Sequence, residues 1–325
     1  MTGRAVYFVE PGRVEVREEA LSGAPGKRLV ESELIGISHG TEMLFFRGDL
    51  PQGMAADGSL GTLSGDLAYP IKYGYINVGR DPDGRRVFAF HPHQDRFYAQ
   101  ADELVPLPED LEAEDAVFLA NMETALTVVH DANPRWGESV LVIGQGVVGL
   151  LIASILRLSG GVRVMAVEPI PRRREAAAAL GCRVFDAGEP GLASRIRAQT
   201  GGRGVDVAIN VCASGAGLQL AIDCAAFSGV VLEASWYGSR ETTLSLGTTF
   251  HRGRVTVRSS QVSTIAPELG GRWDKKRRTA AVIELLAAIR PSRYITHRIR
   301  LEDAQQAFEL LRDHPEEALQ IVLEP

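Results

Sequence analysis

The chain has 325 residues, a formal net charge of −6 and 45% hydrophobic residues, values typical of a globular protein large enough for two domains. The negative charge argues against nucleic acid or an anionic membrane as the main partner. The three cysteines lack the spacing of a disulfide framework or a zinc lobe, and residues 1–13 are too charged for a signal peptide. We therefore expect a soluble, cytoplasmic protein.

Residues 1–110 have the pattern of a β domain. Short segments rich in β-branched and aromatic residues alternate with Gly and Pro, and these segments predict strands at 4–9, 13–17, 28–37, 73–79 and 86–90. Residues 48–65 form a long loop of small residues, of a kind that is more often functional than structural, and we consider it as a wall of a substrate pocket. The pattern predicts an irregular antiparallel β-barrel.

From about residue 112, strands and helices alternate. A helix is predicted over 112–130, with an interruption near Asn121. After it we predict strands at 140–143, 162–167, 183–186, 205–211 and 230–235, and helices at 147–158, 172–180, 192–199 and 217–226. This repetition predicts an α/β fold with a doubly wound parallel sheet of the Rossmann type.

Residues 254–262 predict one further strand at the edge of this sheet. Because an edge strand has unpaired backbone groups, we expect a homodimer formed through it. The remaining elements, at 275–289, 295–301, 302–311 and 319–323, exceed what a six-stranded sheet needs, and we assign them to the first domain. The predicted domains are thus residues 1–115, a nucleotide-binding domain at 116–262, and a return to the first domain at 263–325.

A GxGxxG motif lies between a predicted strand and a predicted helix. Gly144 permits the tight turn, Gly146 lets a pyrophosphate approach the backbone, and Gly149 lets helix and strand pack closely. Free N–H groups at the helix start, at Val147 and Val148, can hold the phosphates. Glu168, about 20 residues further on, is placed to accept the ribose hydroxyls. These features predict a dinucleotide-binding site.

The residues around Glu168 bear on the choice between NAD and NADP. A carboxylate at this position repels a 2′-phosphate and favours NAD. The basic run at 172–174, with Arg173 at its centre, has the opposite tendency, because an arginine near the ribose pairs with that phosphate. Since a helix beginning after Pro171 tends to point these arginines to solvent, NAD is the predicted cofactor and NADP remains open.

The order of these segments resembles the medium-chain dehydrogenase/reductase superfamily, whose catalytic domain is a GroES-like β-barrel. GISHGTE at 36–42 resembles the GxCGTD region of that family, and GYINVG at 74–79 resembles its GHExxG. Residues 86–90, 124–125 and 295–308 resemble its GDRV strand, its Thr-Ala pair and its returning strand and helix. The two glycine motifs together look most like the branch that contains bacteriochlorophyllide a dehydrogenase.

The chain departs from the family at the zinc site. Zinc-using members hold the metal through a Cys, the His of GHE and a third Cys or acidic residue. Here those positions carry Ser38 or His39, then Tyr75, then Ala120 or Asn121. Because a catalytic zinc needs three protein ligands drawn from Cys, His and carboxylates, the resemblance implies a member that works without zinc.

The resemblance also implies roles for residues of the first domain. Thr41 matches the family's hydroxyl residue that touches the substrate oxygen, although a threonine in a turn can simply cap local N–H groups. Tyr75, in the vacated ligand position, is predicted to be a hydrogen-bond donor or acid, with a half-buried barrel tyrosine as the alternative. His39 is a candidate base or relay, and a structural role for it is equally open.

The segment FHPHQD follows the strand whose end lines the pocket in relatives. We predict a substrate role for His91 or His93, against the alternative of a surface turn. Glu42 occupies the family's acidic position behind the metal, where it holds His39 or Thr41 or is exposed.

Two residues are candidates near the cofactor, and a third is a candidate for the pocket. By resemblance, Thr124 lies near the nicotinamide amide, and Trp236 lies near the tip of the last core strand, with packing between domains as its alternative. Glu123, beside Thr124, is a weaker candidate for the pocket.

These patterns favour a zinc-free, NAD-linked oxidoreductase acting on a small-molecule secondary alcohol or ketone. Enoyl or quinone reduction is the second hypothesis, since zinc-free relatives also perform it. A non-catalytic protein that binds the dinucleotide is the third, and the cysteine positions disfavour a structural zinc protein.

Overall fold

The computed structural model describes residues 1–50 and 67–325. Within them the chain forms two compact units, one from Met1–Ala120 together with Ile283–Pro325, and the other from Asn121–Val282. A search of the described helices finds none that is long and apolar enough to cross a bilayer.

The strands of both units are numbered in chain order. They are β1 (Thr2–Glu10), β2 (Arg13–Ala20), β3 (Lys27–Gly36), β4 (Ile71–Lys72), β5 (Asn77–Arg80), β6 (Arg86–Ala89), β7 (Arg96–Gln100), β8 (Leu104–Pro106), β9 (Ser139–Ile143), β10 (Arg163–Val167), β11 (Arg183–Phe185), β12 (Val205–Asn210), β13 (Ala225–Glu233), β14 (Thr256–Ser259), β15 (Ile295–Arg300) and β16 (Gln320–Glu324).

The α-helices are numbered in the same way. They are α1 (Thr41–Arg47), α2 (Ala113–Ala116), α3 (Leu119–Ala132), α4 (Val147–Ser159), α5 (Pro171–Ala179), α6 (Leu192–Ala198), α7 (Gly215–Cys224), α8 (Thr249–Gly253), α9 (Lys275–Ile289) and α10 (Ala304–Asp313).

The second unit contains a parallel sheet with the strand order β11-β10-β9-β12-β13-β14. This is the order of a doubly wound dinucleotide-binding sheet, so the predicted fold class is confirmed. All five residues of β9 are buried, because helices cover both faces of a parallel sheet. β14 lies at the edge with its four residues exposed. The strand predicted at 254–262 is therefore in the right place but too long, since Arg254 has a left-handed φ of 51°.

The first unit contains two sheets. β2-β1-β4 is antiparallel, and β15-β16-β3-β5-β6-β8 is mainly antiparallel, with β7 also paired to β3. β16 pairs with β3 through Val322–Gly36 and Leu323–Ile35, so the C-terminal segment completes a sheet that begins in the first 36 residues. The description of this unit as a GroES-like barrel stays a prediction.

Helix α10 covers the core of the first unit with an apolar stripe. Ala304, Ala307, Phe308 and Leu311 are buried, at the i, i+3, i+4 and i+7 spacing of one helix face. The Phe308 ring makes an edge contact with one phenylalanine of β1 and stacks on one of α1. Burial of a side chain of this size contributes about 1.5–3 kcal/mol.

Several predicted elements of the first unit differ from the structure. The helix predicted over 112–130 is two helices, and its break falls at residues 117–118 rather than near Asn121. The strand predicted at 73–79 begins only at Asn77, because Gly74 has a φ of +124°, outside the β region. The helix α1 and the strands β4, β7 and β8 were not predicted. Of the loop at 48–65, only residues 48–50 lie within the described part of the chain, so its proposed role as a pocket wall lies outside it.

In the second unit, the helix predicted at 217–226 is α7, and the strand predicted at 230–235 is β13. The strand starts directly after the helix and passes through Ser228, whose φ is 58°. A residue with positive φ interrupts the extended backbone of a strand. This interruption explains why the strand was predicted to begin at residue 230, although it begins at Ala225. The sequence at 225–229 also lacks the β-branched residues that would have marked it.

A buried ion pair joins α9 to α3 within the second unit. Arg278 Nη2 lies 3.1 Å from Glu123 Oε2, and the two side chains are 4% and 6% exposed. Arg278 Nη1 donates to Thr127 Oγ1, and Thr279 Oγ1 donates to Glu123 Oε1. Arg278, the last residue of the basic run at 275–278, is thus buried. The same contacts explain why this unit extends to Val282, where the sequence analysis placed the boundary at 262.

Replacing Arg278 by methionine is expected to lower the free energy of unfolding by about 3–5 kcal/mol, because it leaves the Glu123 carboxylate buried without its cation. Lys276→Met, on the exposed side of α9, is the matched control and is expected to change stability by less than about 0.5 kcal/mol. Urea denaturation measures both. A loss below about 1 kcal/mol for Arg278→Met would contradict a structural role for the pair.

Candidate functional site

The glycine-rich turn connects β9 to α4. Gly144 has a φ of +93°, and a Cβ there would lie 2.9 Å from the Cβ of Cys212. A Cβ on Gly149 would lie 1.9 Å from the Gly144 carbonyl oxygen, so the helix packs directly on the turn. A Cβ on Gly146 would meet nothing within 4 Å. Contacts within the protein therefore explain why residues 144 and 149 are glycines. Gly146 has no such contact, and open space lies beside it.

The start of α4 is suited to an anion. Gly146 is the N-cap residue, with φ −68°, and no side-chain hydrogen bond caps it in the described structure. Val147 is buried and Val148 half-buried in the first turn. Because the first N–H groups of a helix have no partner within it, they and the helix dipole can hold a phosphate.

Glu168 follows β10 and is 3% exposed. Its Oε2 accepts a hydrogen bond of 2.7 Å from the backbone N–H of Gln145, inside the glycine turn, and its Oε1 accepts one of 3.0 Å from Ile170 N–H. The carboxylate is thereby fixed against the turn. Each oxygen keeps a lone pair for a hydroxyl donor such as a ribose.

The arginines that follow do not all point to solvent. Arg174 Nη1 donates to the Glu168 carbonyl oxygen at 2.8 Å, and its Nη2 lies 2.9 Å from Asp186 Oδ2. Arg172 is exposed and Arg173 is half-buried. The expectation that these arginines point to solvent is therefore wrong for Arg174, whose contacts hold the segment after β10 in place. The contact of Arg173 with a cofactor stays a prediction.

Of the other cofactor candidates, Thr124 is half-buried on α3, and Trp236 follows β13 with 36% of its surface exposed. Their cofactor contacts stay predictions. Glu123 is occupied by Arg278 and Thr279, which gives it a structural partner in place of a pocket role.

A polar network at the carboxyl ends of β12 and β13 was not predicted. Glu233 Oε2 accepts from Asn210 Nδ2 at 2.6 Å and from the Tyr237 hydroxyl at 3.0 Å, and Glu233 Oε1 accepts from Ser235 N–H at 2.9 Å. Polar residues after apolar strands are the sequence feature that could have indicated it. In doubly wound sheets, ligands bind outside the carboxyl ends of the strands.

Three hydroxyl residues of the first unit lie together, and we refer to Ser38, Thr41 and Tyr75 as the hydroxyl cluster. The Tyr75 hydroxyl donates to Ser38 Oγ and lies 3.4 Å from Thr41 Oγ1. Ser38 precedes α1, Thr41 begins it, and Tyr75 lies between β4 and β5. The Gly36 N–H donates to the Ile76 carbonyl at 3.0 Å, which brings the two segments side by side.

The hydroxyl cluster is protonated at neutral pH. Burial raises the pKa of Tyr75 to about 12, and the negative charge of Glu42 adds to the effect. Ser38 is 8% exposed. Since Tyr75 donates to Ser38, the Ser38 O–H can donate in turn to another acceptor, so the cluster can present a hydrogen-bond donor to a reacting oxygen.

Glu42 is fully buried behind the hydroxyl cluster. Its Oε1 accepts from Ser38 N–H at 2.8 Å, and its Oε2 lies 2.5 Å from His93 Nε2. Glu42 and His93 are both 0% exposed. Of the alternatives raised from the sequence, exposure is therefore wrong, and the contact with His93 was not foreseen.

The other histidines differ from His93 in their surroundings. The His91 ring stacks on Phe97 at a centroid distance of 3.7 Å, and its Nδ1 lies 2.9 Å from the Pro92 carbonyl oxygen. Burial lowers the pKa of His91 to about 3, so its imidazole stays neutral. These contacts do not join it to the hydroxyl cluster, and the predicted substrate role of His91 stays a prediction. His39 is half-buried, and its role stays a prediction.

The chain resembles known proteins in sequence and in fold. A family profile described as "Zinc-binding dehydrogenase" matches residues 147–277. An alcohol dehydrogenase of Cupriavidus necator is 28% identical over 70% of this chain, which spans 60% of that relative's length. The (R,R)-butanediol dehydrogenase of Bacillus subtilis is 32% identical over a region that covers 43% of this chain and 41% of that relative. A solved 2R,3R-butanediol dehydrogenase from B. subtilis superimposes with a TM-score of 0.81 at 19% identity, covering 99% of both chains.

The family profile and these relatives support the predicted medium-chain dehydrogenase/reductase superfamily. The placement of the chain near bacteriochlorophyllide a dehydrogenase stays a prediction. An alcohol dehydrogenase from Thermus sp. ATN1 supports the same fold, with a TM-score of 0.76 and 24% identity over 99% of both chains.

The side chains at the motif positions that the resemblance assigns to zinc ligands are hydroxyls. These residues, Ser38 and Tyr75, are neutral and hydrogen-bond to each other. In residues 1–50 and 67–325, the one group of three or more His, Cys, Asp or Glu side chains close enough to share an ion is the exposed set His314, Glu316 and Glu317. Hydroxyl groups of this kind are not among the usual ligands of zinc.

Proposed function

We propose that this chain is an NAD(P)-dependent oxidoreductase that transfers hydride between a nicotinamide cofactor and a secondary alcohol or ketone without zinc. The observation that carries the proposal is the hydroxyl cluster, which offers neutral hydrogen-bond donors. Two of its members, Ser38 and Tyr75, stand at motif positions that the resemblance assigns to metal ligands. The names of the relatives, an alcohol dehydrogenase and a butanediol dehydrogenase, support the substrate class.

The second unit supplies residues that fit a dinucleotide. The open space beside Gly146 and the N–H groups of Val147 and Val148 suit its pyrophosphate, and the Glu168 carboxylate suits the hydroxyls of its adenosine ribose. When bound, the nicotinamide supplies or accepts the hydride.

The first unit supplies the proton chemistry. As a ketone is reduced, negative charge develops on its oxygen, and hydrogen-bond donors aimed at that oxygen lower the barrier. Tyr75, with a pKa near 12, is a donor and proton source rather than a base at neutral pH. The cluster can therefore stabilise the negative charge on the oxygen in the transition state that ketone reduction and alcohol oxidation share.

A catalytic zinc does not fit this donor set. Glu42 and His93 are fully buried and hydrogen-bonded to each other, while the Tyr75 hydroxyl, with a pKa of about 12, stays protonated at neutral pH. The proposed mechanism accordingly assigns charge stabilisation to side chains of this chain, and zinc independence is part of the proposal.

A panel of secondary alcohols, ketones, enones and quinones, assayed with NADH and NADPH, tests the proposal. We expect turnover of at least one ketone or secondary alcohol. Reduction confined to enones or quinones would favour the enoyl or quinone reductase, and nicotinamide binding without any turnover would favour a non-catalytic binding protein.

Glu168 favours NAD, and removing the negative charge of its side chain tests this preference directly. Glu168→Gln is expected to shift the ratio of NADPH to NADH affinity by about 10-fold toward NADPH, because it removes a charge that repels the 2′-phosphate. Glu175→Gln, on the exposed side of α5, is the matched control. Titration of both cofactors by fluorescence measures the ratio, and an unchanged ratio would contradict the role of Glu168.

We further propose a cytoplasmic homodimer joined through residues 254–262. The support is β14, an exposed edge strand whose backbone can extend the parallel sheet across a two-fold axis. Light scattering of Val257→Pro is the test, since proline removes an N–H and blocks edge pairing. A mass that remains dimeric would exclude this edge.

A further inference from the structure

His93 contacts both chain segments that carry the hydroxyl cluster, although it belongs to neither. It lies in the segment between β6 and β7. Its side chain reaches Glu42 on α1, and its backbone N–H donates to the Tyr73 carbonyl at 3.3 Å. The Val6 N–H in turn donates to the His93 carbonyl at 2.9 Å, which fixes the segment to β1.

On one side, His93 is linked to Ser38 through Glu42. His93 Nε2 holds one carboxylate oxygen at 2.5 Å, and the other oxygen accepts the Ser38 N–H at 2.8 Å. Because both side chains are fully buried, water does not compete for these hydrogen bonds. The carboxylate is thereby held in one orientation, and so is the backbone that carries the Ser38 hydroxyl.

On the other side, the His93 ring packs against the backbone that leads to Tyr75. Gly74 has a φ of +124°, and a Cβ there would lie 2.6 Å from both Cε1 and Nδ1 of the ring. The imidazole therefore fills the space that any side chain at this position would need. Tyr75 is the next residue, and its side chain extends into the hydroxyl cluster from this backbone, against which the ring packs.

Packing alone does not explain a histidine here. An apolar side chain would fill the same space without burying polar groups, and a buried Glu–His pair carries a desolvation penalty. The penalty includes His93 Nδ1, which is buried without a hydrogen-bond partner among the described residues.

We propose that His93 is a positioning residue that sets the geometry between Tyr75 and Ser38, through Glu42 on one side and the Gly74 backbone on the other. The inference rests on the proposed function, in which the hydroxyl cluster serves the reacting oxygen. It assigns to His93 a role other than the substrate contact predicted from the sequence.

The test compares His93→Asn with His93→Gln in the full chain with cofactor. Glutamine can place an amide N–H near the position of Nε2, whereas asparagine is too short to reach Glu42. We expect kcat to fall about 10- to 100-fold in His93→Asn, with KM and the NADH Kd within about 3-fold of wild type, and we expect His93→Gln to recover most of kcat. His297→Gln, a half-buried histidine on β15, is the control.

Hydrogen–deuterium exchange gives a readout that does not need turnover. Exchange of the Ser38 N–H is expected to rise at least about 10-fold in His93→Asn and to stay near wild type in His93→Gln and His297→Gln. Unchanged exchange and kcat in His93→Asn would overturn the positioning role. The positioning role would also be overturned if both His93 variants showed the same fall in kcat and the same rise in KM, together with equal losses of cofactor affinity and melting temperature. If wild type turns over no substrate, the proposed function fails, and the exchange result alone then decides the role of His93.

Discussion

Gly146→Ala is expected to weaken NADH binding at least about 100-fold, equivalent to about 2.7 kcal/mol, while the melting temperature stays within about 2 °C of wild type. The φ of −68° at Gly146 suits alanine, and an added methyl group meets nothing within 4 Å, so folding is not affected. The same methyl group would stand where a pyrophosphate must approach the backbone. Calorimetric titration with NADH and a thermal melt measure the two effects.

Two other glycines provide the comparison for Gly146→Ala. Gly271→Ala, in the same unit and also with open space around it, is expected to alter neither binding nor stability. Gly149→Ala is expected to destabilise the protein, because its Cβ would lie 1.9 Å from the Gly144 carbonyl oxygen. Undiminished NADH affinity in Gly146→Ala would show that the open space is not a pyrophosphate site.

Tyr75→Phe is expected to lower kcat for ketone reduction about 100-fold, with the NADH Kd unchanged, because it removes the hydroxyl that donates to Ser38. Tyr98→Phe, on β7 and outside the hydroxyl cluster, is the matched control. Stopped-flow measurement of NADH oxidation separates the chemical step from binding.

The raised pKa of Tyr75 adds a pH signature to the same experiment. With a pKa of about 12, the hydroxyl stays protonated between pH 6 and about pH 10, so the wild-type reduction rate should show no tyrosine-dependent fall in that range. A fall with a midpoint near pH 8 that disappears in Tyr75→Phe would contradict the assigned protonation state. Undiminished reduction of an enone by Tyr75→Phe would favour carbon–carbon double-bond reduction.

Sequence reasoning succeeded where the determinants are local. The glycine turn, the apolar strand before it and the helix after it are adjacent in the chain, and the structure explains Gly144 and Gly149 by contacts within that unit. The strand order of the parallel sheet follows from repeated βα units, which have few alternative windings. These features were therefore predictable without an alignment.

The candidate site of the first unit was predictable only in part. Tyr75 and Thr41 were found because their motifs resemble those of a known family, and the structure brings them together with Ser38. The pairing of Glu42 with His93 spans 51 residues and depends on how the segment after β6 folds back, which no periodicity records. His91, two residues earlier, offered the same sequence signal, but its ring turns onto Phe97 instead.

In the proposed mechanism, a glycine turn binds the nicotinamide cofactor, and organic side chains alone serve the other reactant. The most direct measurement determines the zinc content of the purified protein together with its NADH-dependent ketone turnover, before and after treatment with a chelator. We expect less than about 0.1 zinc per chain and turnover that the chelator does not change, since the hydroxyl cluster lacks the usual zinc ligands. One zinc per chain, with activity lost on its removal and restored on its return, would contradict the account.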